Sequence, residues 1–363
     1  MLKHLLGWKT SRKIIVFESD DWGSFRFKNQ QTRDKYIQNQ DTRLWMHHND
    51  AFESFEDLKQ LSYVLTSTID KNQNTARFTF LFNPANPDFN KIEEGNFENY
   101  YYESFKETLH KRKDGEQILG WYQNAIKENC IEVGFHGREH LNARLWMKHL
   151  KSGNKIALKG FTDRAWGFSK LYQADVKSSY RSTFKIESYD ELDALKINIK
   201  EGVELMNTIF NQKTTYFLPP DGPYHLNLNK TLADNGIKFI GLAKLHNNPL
   251  QPKLQQKKLF WLGKQTKEKL TVITRNVVFE PASPDYKGVN TTIQEIEKAF
   301  AYKNPAVIST HRANYIGTLN PNNRSNSLTE LKILLSKISK KWPQVEFLTS
   351  SKLGQIINQN KHA

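Results

Sequence analysis

An apolar run, Lys13-Ile-Ile-Val-Phe-Glu-Ser19, ends on two adjacent carboxylates, Asp20 and Asp21, and a second such run, Ile131-Glu-Val-Gly-Phe135, ends on His136-Gly-Arg-Glu-His140. Side chains alternate faces along a strand, so neighbouring aspartates converge only where the strand ends and the backbone turns. Trp22-Gly23 is where that turn is expected. Two histidines four positions apart share one side of a helical turn, about 5–6 Å between Cβ atoms, close enough to hold one ion. An aspartate with two histidines suits zinc and leaves a coordination position open for water, the arrangement of a hydrolytic site rather than a structural one. Taken singly, Asp-Asp before Trp-Gly is an ordinary solvated turn, and His-x3-His pairs occur by chance on surface helices. Both at the C-terminal ends of strand-like runs carry more weight, because parallel α/β folds gather their chemistry at those ends.

The rest of the chain alternates strand-like runs with helical patterns, which predicts βα units and an α/β fold. Leu192, Leu195, Ile199, Val203, Met206 and Phe210 recur at spacings of three and four and predict a helix running into a strand at Phe217. Leu328, Leu331, Leu335, Ile338 and Trp342 repeat the pattern, then Pro343 breaks the helix before a final strand, Val345-Glu-Phe-Leu-Thr349. Residues 143–188, rich in aromatic and basic side chains, and residues 245–269, rich in lysine and glutamine, are longer than simple βα connections and are expected as insertions. Tyr315 to Ser327, with a glycine, a proline and four asparagines, is expected as a loop on the rim that carries the metal. No internal repeat or low-complexity tract interrupts the chain, so residues 1–363 are expected to form a single elaborated barrel domain.

At this level of detail the chain resembles the polysaccharide deacetylases, the carbohydrate esterase family four with its NodB-type homology domain. Ser19-Asp20-Asp21-Trp22-Gly23 is similar to the family's first motif and His136-Gly-Arg-Glu-His140 to its second. Arg77-Phe-Thr-Phe-Leu-Phe82 is similar to the second strand, Phe217-Leu-Pro-Pro-Asp-Gly222 to the Arg-x-Pro-x-Gly segment, and Val307-Ile-Ser-Thr-His311 to the late strand ending in histidine. The resemblance spans about residues 12–355 and implies an irregular (β/α) barrel of about seven strands with loop insertions. It implies Asp21, His136 and His140 as ligands of a divalent metal, Zn2+ with Co2+ or Ni2+ as alternatives, Asp20 as the base, and His311 as the general acid. The implied activity is metal-dependent removal of an N-acetyl group from an amino sugar. Trp22, Asp221 and Arg312 are the candidate substrate contacts, with Trp22 expected beside the metal, where an aromatic ring suits a sugar. The family's arginine that orients the base is Leu218 here, and Arg138, Arg275 and Arg312 are the candidates to replace it. The aspartate that tunes the acid histidine has no evident counterpart.

A formal net charge of +15 needs an electrostatic account. The lysines are spread along the chain and form no basic arm or nucleic-acid-binding module, so nucleic acid is not the expected partner. A carbohydrate substrate is, anionic or linked to a lipid or nucleotide. Cys130 is the lone cysteine, so no intramolecular disulfide forms. The apolar part of Met1 to Trp8 is too short for a signal peptide, and no stretch of about 20 apolar residues exists to span a membrane. Both point to a cytoplasmic protein and a precursor or oligosaccharide substrate. Two other readings keep the fold: a hydrolase of another C–N or glycosidic bond, and a non-catalytic binder of glycans or anions. A glycosidase of the two-carboxylate type needs a second acid about 5–9.5 Å from the first, which Asp20 beside a ligating Asp21 does not supply.

Overall fold

The computed structural model describes residues 6–36, 45–166, 180–251 and 253–360. At its centre lies β1 (Lys13–Trp22), of which every residue after Lys13 is buried. That burial on both faces is why the strand reads as a continuous apolar run rather than an alternating one. β2 (Phe78–Phe82), β3 (Ile131–Phe135), β4 (Tyr216–Phe217), β5 (Phe239–Gly241), β6 (Thr271–Ile273), β7 (Val277–Val278), β8 (Ala306–His311) and β9 (Val345–Leu348) complete the sheet. The spatial order is β6-β5-β4-β3-β2-β1-β8-β7, with β9 added beside β1, and every pairing in it is parallel. One edge of β1 is shared: β9 pairs with Lys13 to Val16 and β2 with Phe17 to Trp22.

The two outermost strands, β6 and β7, are separated in sequence only by residues 274–276. Their ends therefore lie close together, and the sheet must curl into a barrel. The expected α/β barrel is thus found, with nine strands in the sheet among the described residues instead of about seven. The additional ones are short: β4 and β7 have two residues each, too few for a sequence pattern to register.

Residues on β1 sort by parity. Ile14 and Val16 join an inner cluster with Leu81, Tyr216, Ile273, Val307 and Leu348, while Ile15 and Phe17 pack into the larger cluster under the helices. α1 (Phe55–Thr66), α2 (Gly115–Lys127), α3 (Leu192–Phe210), α4 (Val289–Ala301) and α5 (Pro321–Lys341) bury their apolar stripes in that larger cluster. α6 (Ser350–Gln359) closes the barrel where the strands begin, placing Leu353 and Ile357 in the inner cluster. Gly354 is required there, since a Cβ would fall 2.2 Å from the Phe239 ring.

Helix starts follow local chemistry. Ser54 and Asp57 form a reciprocal capping box before α1. The stretch expected as a loop over 315–327 is helical from Pro321, because the Asn320 side chain accepts from the Asn322 N–H and proline fits the first helical turn. Within 143–188, helices span Ala143–Lys151 and Lys155–Thr162 and bury Trp146 and Phe161 together with Trp166 and Tyr180. Residues 167–179 lie outside the described residues. In 245–269, Leu245–Asn247 and Lys257–Leu259 pair as an antiparallel hairpin.

Candidate functional site

The C-terminal ends of β1, β3, β4, β6 and β8 open into a cleft of about 470 Å³ lined by Asp20, Asp21, His136, His140, Asp221 and His311, with Arg181, Leu218, Lys244 and Arg275 among the other lining residues. A break in the β1 ladder explains how both aspartates reach it. Ser19 pairs with Phe80 and Trp22 with Phe82, so three steps on β1 oppose two on β2. This is a bulge of one residue, and Asp21 occupies it with φ +75°. Asp20 keeps the inward parity of Ile14 and Val16, and Asp21 is turned to the same cleft. The shift has a second effect. Trp22 takes the outward position, fully buried and stacked on Phe80 with ring centroids 3.9 Å apart, its Nε1–H donating to Ser19 Oγ at 2.9 Å. The expectation that Trp22 contacts substrate is therefore corrected: its ring is part of the core.

Asp21 Oδ1 lies 3.0 Å from His140 Nε2 and 3.5 Å from His136 Nε2. One ligand atom from each of the three buried residues falls within 4.8 Å of the others. His136 Nδ1 is 2.7 Å from the Leu218 carbonyl. A carbonyl only accepts, so Nδ1 carries a proton and Nε2 is the ring nitrogen that faces Asp21. Two imidazole nitrogens and a carboxylate oxygen grouped this closely, from buried side chains, are a donor set that fits a divalent metal. His140 Nδ1 is buried with no hydrogen-bond partner among the described residues. Burial alone would raise the Asp21 carboxyl, but His140, His136 and Arg26 around it hold it well below the usual carboxylate range.

Asp20 is held by an arginine from another strand end. Both terminal nitrogens of Arg275 donate to the two Asp20 oxygens, and its Nε donates to Glu18 Oε2 at 2.6 Å. Glu18 is fully buried and also accepts from Tyr216 Oη at 2.6 Å and Ser350 Oγ at 2.7 Å. Burial opposes ionisation of Asp20, yet Arg275 and His311 outweigh it and the carboxyl stays below its ordinary range. Of the three arginines considered as replacements, Arg275 is the one at Asp20. Arg138 pairs with Glu139 and Glu201. Arg312 is fully buried against Asp50 and Glu53 and does not line the cleft, which corrects its expected place at the substrate.

His311 stands across from Asp20, Nε2 to Oδ2 3.7 Å. Its Nδ1 donates to Glu280 Oε1 at 2.7 Å, and Asn314 Nδ2 fixes the other Glu280 oxygen at 2.7 Å. Burial pulls the imidazole pKa down, but the Glu280 carboxylate, with Asp20 behind it, raises it to about 9. Glu280 was missed in the sequence, although a signal was present: Arg275 follows β6 and Glu280 closes the run Val277-Val-Phe279, both at strand ends on the chemically active rim. Asp221 lines the cleft at φ +54°, where Ser182 Oγ donates to its Oδ2 at 3.1 Å.

Together the curled parallel sheet and its rim define the NodB-type polysaccharide-deacetylase fold. A protein from Parabacteroides distasonis named as a "putative glycoside hydrolase/deacetylase" superposes with a TM-score of 0.52 at 10% identity, over 96% of this chain and 72% of that one. A "putative polysaccharide deacetylase" from Mycobacterium smegmatis gives 0.48 at 11% identity, over 98% and 94%. A CE4 family pseudoenzyme from Bacillus anthracis gives 0.40 at 12% identity, over 94% and 65%. No family model matches the sequence, and no curated protein matches it. Among the described residues, no helix is long and apolar enough to cross a membrane.

Proposed function

We propose that this chain is a metal-dependent hydrolase that removes the N-acetyl group from an amino sugar in a polysaccharide, oligosaccharide or glycan precursor. The observation that carries the reading is the convergence in one cleft of the Asp21, His136 and His140 ligand atoms with Asp20 and His311, the first ion-paired to Arg275 and the second to Glu280.

Asp21, His136 and His140 would hold the ion, Zn2+ by the chemistry of the set with Co2+ or Ni2+ as alternatives. Bound there, a divalent cation supplies Lewis acidity and brings the pKa of water toward neutrality. Asp20, ionised and clamped through both oxygens by Arg275, takes the proton from the attacking water. An amide nitrogen leaves only if it is protonated as it departs. His311, kept cationic at neutral pH by Glu280, delivers that proton from Nε2. Arg181 and Lys244 line the cleft, Arg181 with its Nη2 3.5 Å from Asp221 Oδ2. The case for a merely binding protein began from Leu218 and the unlocated partner of His311; Arg275 and Glu280 stand in those two places.

Acetate release from free, nucleotide-linked and lipid-linked N-acetylated sugars, measured beside elemental analysis of the purified protein, tests this directly. Asp20→Asn is expected to lower turnover by about 10²–10⁴ with metal content intact, and His140→Ala to lose the metal. Unchanged rates in Asp20→Asn would refute the base assignment; new reducing ends without acetate would refute the bond.

A further inference from the structure

Behind the metal-ligand turn lies a group of four charged side chains that the proposed chemistry does not use. Arg26, Asp50, Glu53 and Arg312 are each at most 2% exposed. Arg26 bridges two carboxylates, donating through Nη1 to Asp50 and through Nη2 to Asp21 Oδ2 at 3.1 Å. Arg312 donates to Asp50, to Glu53 Oε2 at 2.8 Å and to the Ser24 carbonyl. Glu53 Oε1 accepts in turn from the Gly23 N–H at 3.1 Å and from Tyr122 Oη at 2.8 Å. Two arginines balance Asp50 and Glu53, leaving the charge of Asp21 to the cleft.

We infer that Arg26 is a positioning residue for the metal: it pins Oδ2 of Asp21 so that Oδ1 faces the two histidines, and it does so as one arm of a buried ionic scaffold that also carries Arg312. This inference rests on the metal reading above. Asp21 has the left-handed backbone of the bulge, a conformation that an L residue keeps only where its surroundings over-determine it. The scaffold supplies that determination along the turn, holding residues 21, 23 and 24 at successive points. A planar guanidinium can grip Asp50 and Asp21 at once from a fixed position; an ammonium cannot. Because Arg312 comes directly after His311 in the chain, the same four side chains join the ligand turn to the end of the strand that bears the acid. This gives the buried Arg312 a role in placing both, without touching substrate.

Zinc affinity of the full chain by competition with a chromogenic chelator, read alongside melting temperatures of metal-free and zinc-loaded protein, tests the assignment. Arg26→Gln and the double variant Arg26→Gln/Asp50→Asn are expected to bind zinc about tenfold to a hundredfold more weakly than wild type. The double variant also removes the Asp50 charge that Arg26 balances jointly with Arg312, so a loss that persists in it reports orientation and not charge. Arg26→Lys keeps the charge and guards against a failure to fold; it is expected to show a smaller loss in the same direction. Variants that melt earlier yet bind zinc as wild type does would overturn the inference, leaving Arg26 a structural residue only. Wild-type protein that takes up no zinc would sink the metal reading itself, an outcome distinct from equal affinity in wild type and variants.

Discussion

At each end of β1 an arginine grips a carboxylate, Glu346 of the neighbouring β9 at the start and Asp20 at the finish, to different effect. Where the strand begins, Glu346 accepts from Arg12 Nε and Nη2 at 2.8 and 2.6 Å, with Lys71 at 3.1 Å, and the Arg12 side chain is 40% exposed. Where it ends, Asp20 is clamped by Arg275, whose side chain is 22% exposed and is also tied to the buried Glu18. Similar bidentate chemistry thus ties the strand's start to its neighbour at the first end and orients a cleft-lining carboxylate at the second. Exposure of the arginine makes the difference: a pair with one largely exposed partner contributes little to stability, whereas a more buried pair, tied to a second carboxylate, fixes geometry.

Weakening the clamp at the Asp20 end should have the largest effect. Arg275→Lys keeps the charge but loses the planar fork, and kcat/KM is expected to fall about tenfold to a hundredfold with metal content unchanged. A lowered melting temperature with full activity would instead make the two ends alike.

A smaller effect is expected at the acid. Glu280→Gln still accepts from His311 Nδ1 but removes the negative charge that raises the imidazole to about 9. A histidine acts as an acid only below its pKa, so the basic limb of the pH–rate profile should move to lower pH while the acidic limb stays. An unmoved basic limb would mean that another group sets it.

The least effect belongs to the Glu346 end. Arg12 and Lys71 hold Glu346 down to about 2, against a burial cost that acts the other way. A depressed carboxyl stabilises the fold above its ordinary pKa near 4.5 and loses that contribution as pH falls through about 2. With Arg12 and Lys71 both substantially exposed, screening limits the value to about 1 kcal/mol. Glu346→Gln should therefore lower the melting temperature slightly at neutral pH, with the gap to wild type closing in acid; a constant gap would argue for lost packing.

How much of this was legible depended on whether the information was local. Asp20, Asp21, His136, His140 and His311 close apolar runs, and the parallel topology brings strand ends to one rim, so sequence could group them. Trp22 could not be read correctly, because one bulged residue reverses the parity of the next positions on the strand and no feature of Ser19 to Gly23 announces the bulge. The supports of the base and acid were obscured for a different reason. Arg275 and Glu280 flank two strands of three and two residues, too short to show a period, and they reach their partners only through the curl of the sheet. Among Arg138, Arg275 and Arg312 the choice is three-dimensional, made by which cation finds a nearer acid elsewhere.

The shared edge of β1 bears on how the protein is made. The first strand is flanked by β2, formed early in synthesis, and by β8 and β9, formed late, so its last places are filled only by distant segments. A polypeptide still emerging from the ribosome can present the paired aspartates and the two histidines that follow β3, but His311 does not yet face them and the central strand is unfinished. The cleft then acquires its full lining only after the last strands have docked.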